Sequence, residues 1–186
     1  ALGVRGLRVA RANEALLTRQ LDAIAKAASE LGRTEETAPT WVMAPMVATA
    51  REAQWFAGLC GDRGLTAGAM IEVPAASLMA DKIMPHLRFV SIGTNDLTQY
   101  TMAADRMSPQ LAYLTDPWQP AVLRLIDHTC KEGKKFNTAV GVCGEAAADP
   151  LLACVLTGLG VNSLSAASTA IAGVGAQLAA VDLETC

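Results

Sequence analysis

From Trp41 to the end of the chain, short apolar runs alternate with longer amphipathic stretches, and that alternation leaves few folds open. The apolar runs are Trp41-Val-Met-Ala-Pro-Met-Val47, Ala69-Met-Ile-Glu-Val-Pro74, Arg88-Phe-Val-Ser-Ile92, Thr138-Ala-Val-Gly-Val-Cys143 and Asn162-Ser-Leu-Ser-Ala166. Each has the length and the β-branched or aromatic content of a buried strand. Helical patterning fills the intervals at 51–63, 77–87, 121–132 and 150–159, and a last helix follows at 171–180. Strands that alternate with helices in this way build right-handed βαβ units and a parallel sheet. The runs read as apolar on both faces, as a sheet covered on both sides requires. Upstream, residues 11–31 show helical spacing, with Leu16, Leu17, Leu21, Ile24 and Leu31 near one face and Gly32 as the stop. Glu35 to Pro39 reads as a polar loop.

Two architectures fit: a doubly wound sheet and a (β/α)8 barrel. No G-x-G-x-x-G follows the first strand, which disfavours a dinucleotide-binding unit. A barrel needs eight strands and usually about 250 residues. This chain has 186 residues and supplies five strands, so it reads as the later part of a barrel forming one domain over residues 1–186.

Composition narrows the function. The net charge of −3 gives no basic footprint for nucleic acid. Lys and Arg are scattered, and no apolar run is long enough to span a bilayer. No signal-peptide pattern opens the sequence. The five cysteines form no C-x-x-C pair, and reduced, cytosolic thiols are the expectation.

The chemistry gathers where strands end. The run Phe89 to Ile92 breaks at Gly93 and is followed at once by Thr94, Asn95 and Asp96. In parallel α/β sheets, ligands bind at that carboxyl end. The competing reading is that Asn95 and Asp96 cap the next helix. Glu72 closes the preceding strand. A carboxylate in an apolar run is costly unless neutralised, by a nearby Arg or Lys or by a metal. Glu72 and Asp96 together suit Mg²⁺, which takes a few carboxylates, waters and substrate phosphate oxygens.

Cys143 ends the fourth strand between Gly141 and Gly144. Free cysteine is often a small buried hydrophobe. At a strand end flanked by glycines it can also meet substrate closely, and a thiol is mostly protonated at neutral pH, so it can give a proton. Arg5 and Arg106 suit bidentate grip of phosphate or carboxylate, although arginines are also common on solvated surfaces. His86 and His128 lie in no motif. Glu145, Asp149 and Asn162 read as turn or capping groups, Asp149 as the N-cap of the helix opened by Pro150.

These stretches together resemble the carboxyl-terminal, phosphoenolpyruvate (PEP)-binding barrel of enzyme I of the bacterial sugar phosphotransferase system. The likeness runs nearly end to end. It is densest in Met70-Ile-Glu-Val-Pro74, Ser91-Ile-Gly-Thr-Asn-Asp-Leu-Thr-Gln-Tyr-Thr101, Ala103-Ala-Asp-Arg106, Gly141-Val-Cys-Gly-Glu145 and Gly158-Leu-Gly160. Tyr100 and the Ala-Asp-Arg after it resemble enzyme I more than pyruvate phosphate dikinase or PEP synthase. The resemblance implies that Glu72 and Asp96 hold Mg²⁺. It implies that Asn95, Arg5 and Arg106 bind PEP, and that Cys143 protonates C3 of the enolate. It further implies a cytoplasmic homodimer whose phosphohistidine domain and phosphocarrier partner HPr lie outside this sequence. The sequence departs from the family by lacking the Gly-Gly-x-Thr-Ser-His type acceptor motif, three barrel strands and two further phosphate-binding arginines. It reads as a piece of a longer protein.

Overall fold

The computed structural model describes residues 2–34 and 36–186; Glu35, in the polar stretch before Pro39, lies outside the described residues. The chain opens with α1 (Leu7–Ala12) and α2 (Glu14–Glu30). It continues through β1 (Trp41–Ala44), α3 (Ala50–Gly61), β2 (Thr66–Ile71), α4 (Pro74–Leu78), α5 (Ala80–Ile83), β3 (Phe89–Gly93) and α6 (Thr94–Met102). The remaining elements are α7 (Pro120–Phe136), β4 (Ala139–Cys143), α8 (Pro150–Gly158), β5 (Ser163–Ser165) and α9 (Ser168–Ala179). The strands form one parallel sheet in chain order, β1 to β5. This is an α/β fold with the winding of a partial (β/α) barrel.

Helix ends follow local chemistry. Thr49 and Glu52 form a reciprocal capping box at the start of α3. Asp149 accepts from the N–H groups of Leu151 and Leu152 and starts α8. Gly32, at φ +66°, stops α2: its own N–H reaches Ser29, and the Arg33 N–H reaches back to Ala28. The expected helix at 77–87 is instead broken. It divides at Met79, whose backbone (φ −106°, ψ 24°) leaves the helical range, into α4 and α5, and it closes in a 3₁₀ turn over Met84–His86, where Pro85 lacks the backbone donor that a continuing helix needs.

Only one face of the sheet is covered by helices. Ala69, Ile71, Val90, Ile92, Val140 and Val142 join residues of α3, α5, α7 and α8 in one buried core. The alternate positions turn the other way. There Trp41 is 54% and Met43 37% exposed, and β4 and β5 present Gly141, Ser163 and Ser165. The sheet is therefore not apolar on both faces across its whole width, as the runs alone suggest. Trp41 and Phe89 stack with ring centroids 4.4 Å apart. They meet over Gly68, where a Cβ would collide with the Phe89 ring. On α2 only Leu21 is fully buried, while Leu16 and Leu31 face solvent, so the buried stripe is narrower than the spacing suggests.

Candidate functional site

The carboxyl ends of the strands bring Glu72, Asp96, Asn95 and Cys143 to one rim. Glu72 lies one residue beyond β2 and only 4% of it is exposed. Strand register pairs Ile71 with Ile92 and Gly93 with Cys143, so Glu72, Gly93 and Cys143 occupy one row on the face that helices leave open. Two strand spacings separate the outer members, roughly 10 Å between Cα atoms. Gly93 makes room for the row: a Cβ there would sit 2.9 Å from Oε2 of Glu72.

One Glu72 oxygen, Oε1, accepts the Met46 N–H at 2.7 Å. Burial pushes the Glu72 carboxyl above its ordinary range. The Met46 N–H opposes that shift, Asp96 adds to it and Arg5 opposes it. Asp96 sits in the first turn of α6, with Oδ1 4.0 Å from Nη1 of Arg5. The same Arg5 nitrogen donates to the Tyr100 hydroxyl at 3.1 Å, one turn along α6 from Asp96. Two carboxylates that repel one another beside a single guanidinium make a donor set suited to a hard divalent cation. Among the described residues no cluster of three or more His, Cys, Asp or Glu side chains forms a metal cage. A two-carboxylate site matches Mg²⁺, which keeps most of its waters.

Asn95 and Asp96 do not cap α6, whose N-cap is Gly93. Asn95 instead bridges to the next strand, where its Oδ1 accepts the Glu145 N–H at 3.1 Å. Thr94 donates its hydroxyl to the Cys143 carbonyl at 2.9 Å. Gly144, at φ +93°, lets these two loops touch, since a Cβ there would fall 2.8 Å from both Asn95 Oδ1 and Thr94 Oγ1. The half-buried Cys143 thiol donates to the Ile92 carbonyl at 3.6 Å. Burial pushes Cys60 up to about 11 and Cys130 up to about 12, so those two thiols belong to the core.

Arg106 lies in the exposed turn after α6. Its backbone N–H donates to Gln99 Oε1 at 3.1 Å, and among the described residues no hydrogen bond or ion pair joins its side chain to Glu72, Asp96 or Cys143. A cavity of about 240 Å³ beside the rim is lined by Arg5, Arg8, Met46, Val73, Pro74 and Tyr100, among others. A larger cavity of about 940 Å³ opens at the opposite, amino-terminal end of the strands, near Thr66, Arg88 and Asn162. The acids, amide and thiol expected as site residues converge at the carboxyl rim, away from that larger space. Met46 and Tyr100 contact the expected site residues without being expected there themselves: Tyr100 is marked in the sequence only by the family resemblance. Tyr100 stands four residues after Asp96, a helical spacing that puts both on one face. Met46 carries no such signal.

The family described as PEP-utilising enzyme, PEP-binding domain, matches residues 1–183. A phosphoenolpyruvate-protein phosphotransferase of Streptomyces coelicolor is 50% identical over 188 aligned positions, covering 100% of this chain and 33% of that protein. A multiphosphoryl transfer protein of Rhodobacter capsulatus is 44% identical over 184 positions, covering 95% of this chain and 21% of that protein. The chain thus spans a third or less of the length of these relatives. Among solved structures, a citrate lyase from Burkholderia xenovorans superposes with a TM-score of 0.64 at 15% identity, covering 90% of this chain and 55% of that one. An HpcH/HpaI aldolase/citrate lyase family protein from Burkholderia cenocepacia gives 0.60 at 16% identity, covering 89% and 67%. These two share the fold. No helix among the described residues is long and apolar enough to cross a membrane.

Proposed function

This chain belongs to the PEP-utilising enzymes, as their PEP-binding domain, and from that premise we propose that it serves a phosphotransferase that moves the phosphoryl group of PEP to a protein histidine. The acceptor histidine would lie on another domain of the same protein and would pass the group on to HPr. The likeness to the Streptomyces coelicolor phosphotransferase supports this assignment. The carrying observation is the single rim on which Glu72, Asp96 and Arg5 meet two strands from Cys143.

Glu72 and Asp96 would hold Mg²⁺, which when bound would neutralise charge on the transferring phosphoryl oxygens. Arg5 and Arg106 bind the phosphate and the carboxylate of PEP. Asn95 keeps its Oδ1 on the Glu145 N–H, which leaves its amide N–H groups to orient the substrate. The P–O bond of PEP breaks, the histidine nitrogen takes the phosphoryl group, and the enolate oxygen keeps the electron pair. The Cys143 thiol then gives its proton to C3 of the enolate, pyruvate leaves, and the thiolate regains a proton from water. The protein works in the cytoplasm as a homodimer. Exposed Met107, at 79%, and Tyr113, at 70%, support a subunit contact over that segment.

Pyruvate release from PEP by the full-length protein, with HPr as acceptor, tests the assignment. Removing a general acid costs roughly 10²–10⁴-fold in rate, so Cys143→Ala is expected to slow turnover by that factor while PEP binding persists. Asp96→Ala is expected to weaken Mg²⁺ binding and to abolish activity. Wild-type turnover by Cys143→Ala would remove the thiol from the reaction.

A further inference from the structure

Among the described residues, three non-glycine positions take the left-handed backbone conformation: Met46, Ala103 and Asn137, at φ 58°, 51° and 52°. Ala103 and Asn137 end α6 and α7, where that conformation closes the last turn. Met46 ends no helix. It follows Pro45 just beyond β1 and is 7% exposed. A side chain held there without a helix to close is strain that the surroundings must maintain.

Those surroundings are the two sides of the rim. The Met46 N–H donates to Glu72 Oε1 at 2.7 Å. Its Sδ accepts from the Tyr100 hydroxyl at 3.9 Å, and that same hydroxyl accepts from Arg5. Its Cβ and Cγ fill the space above Gly6, where an added Cβ would lie 2.9 and 3.0 Å from them. Gly6 follows Arg5 directly, and Leu7 fixes the segment by donating its N–H to the Pro45 carbonyl at 3.2 Å. Rotation about N–Cα sets the angle between a residue's N–H and its Cβ. The left-handed turn is therefore what lets one residue face Glu72 with its backbone and the Arg5 segment with its side chain.

We propose that Met46 is a positioning residue that couples the metal-binding carboxylate to the arginine that grips PEP. The role presupposes that Glu72 holds Mg²⁺ and that Arg5 contacts PEP. The side chain, seated between Gly6 and Tyr100, keeps the backbone in its strained turn, and the turn keeps the N–H on Glu72. Displacing the side chain releases both.

The test uses the full-length protein and calorimetric titration of Mg²⁺ alone, then of PEP at saturating Mg²⁺, for Met46→Ala, Met46→Gly, Met46→Leu and Tyr100→Phe. Losing a group that orients a metal ligand costs roughly 10–100-fold in metal affinity, and Met46→Ala is expected to lose that much, with PEP affinity falling alongside. Glycine adopts the left-handed turn without strain, so Met46→Gly is expected to keep most Mg²⁺ affinity and lose PEP affinity. Met46→Leu restores both to within a few-fold, and Tyr100→Phe weakens PEP alone. A residue that merely packs gives the reverse order, with glycine binding Mg²⁺ worse than alanine. That order, or wild-type Mg²⁺ affinity in Met46→Ala, overturns the role. If Met46→Ala does not fold, the contrast between Met46→Gly and Met46→Leu carries the same decision. Glu72→Gln separates the two levels. If it still binds Mg²⁺ as tightly as wild type, the metal assignment itself falls. If it loses Mg²⁺ while Met46→Ala keeps it, only the positioning role falls.

Discussion

At Glu72 the folded chain holds a carboxyl whose pKa lies above its ordinary value, chiefly through burial. A carboxyl raised on folding binds its proton more tightly folded than unfolded. Without metal, the chain therefore gains stability as pH falls through that raised pKa toward the ordinary glutamate range, and loses it as pH rises. Glu72→Gln carries no such charge. The metal-free variant is expected to melt above wild type at neutral pH, with the difference closing as pH falls through that window. Thermal melts at stepped pH, with chelator present, check both the sign and the window. A second residue with a sharp expectation is Gly144. Its positive φ and the 2.8 Å approach of Asn95 and Thr94 leave a methyl group both strained and crowded. Gly144→Ala is expected to cost about 1–3 kcal/mol, read by denaturant unfolding, and to pull the Asn95 bridge off Glu145.

At the scale of elements, α8 depends on the residue that caps it. Asp149 accepts from Leu151 and Leu152 and also from the Trp118 indole N–H at 3.0 Å, so it caps a helix and pins the loop before α7. Burial opposes charge on Asp149. The Leu152 N–H, the Trp118 indole and the Leu151 N–H outweigh it and hold the carboxyl below its usual range. That stabilisation is present above the unfolded pKa and is lost as pH falls through the lower folded value. Asp149→Ala is expected to cost about 0.5–2 kcal/mol, with wild type and variant converging in acid. Asp149 was legible in the sequence because capping is local chemistry, as were Gly32 and the strand that ends at Cys143. The break at Met79, which splits one expected helix into α4 and α5, was not. It lies in the backbone of Met79 (φ −106°, ψ 24°), a residue with no breaker character of its own. The same divide runs through the site. Glu72, Asp96 and Cys143 announce themselves by charge or thiol at strand ends. The bridge from Asn95 to Glu145 joins residues fifty positions apart, and a left-handed methionine has no signature in composition or period.

At the scale of the whole molecule, the sheet of the described residues has one face without helices and two edge strands, β1 and β5. Trp41 and Met43 sit on that face beside the edge that β1 leaves unpaired. Apolar groups next to unpaired backbone invite association. The 186-residue chain by itself is expected to self-associate with rising concentration in sedimentation velocity. Trp41→Lys is expected to shift the distribution toward monomer. A monomer that melts cooperatively at every concentration would show that the face needs no cover.

That face also changes character from one side to the other. Beyond Glu72 it is lined by Met43 and Trp41, while beyond Cys143 it meets Ser165, its register partner. Ser163 fills the space over Gly141, where a Cβ would lie 2.7 Å from its hydroxyl oxygen. Ser163 and Ser165 are exposed, so the sulfur stands at a shoreline, with a greasy bank toward the acids and a polar, open one behind it. A thiol seated there is expected to exchange its hydrogen with bulk solvent, so that the isotope it carries follows the surrounding water.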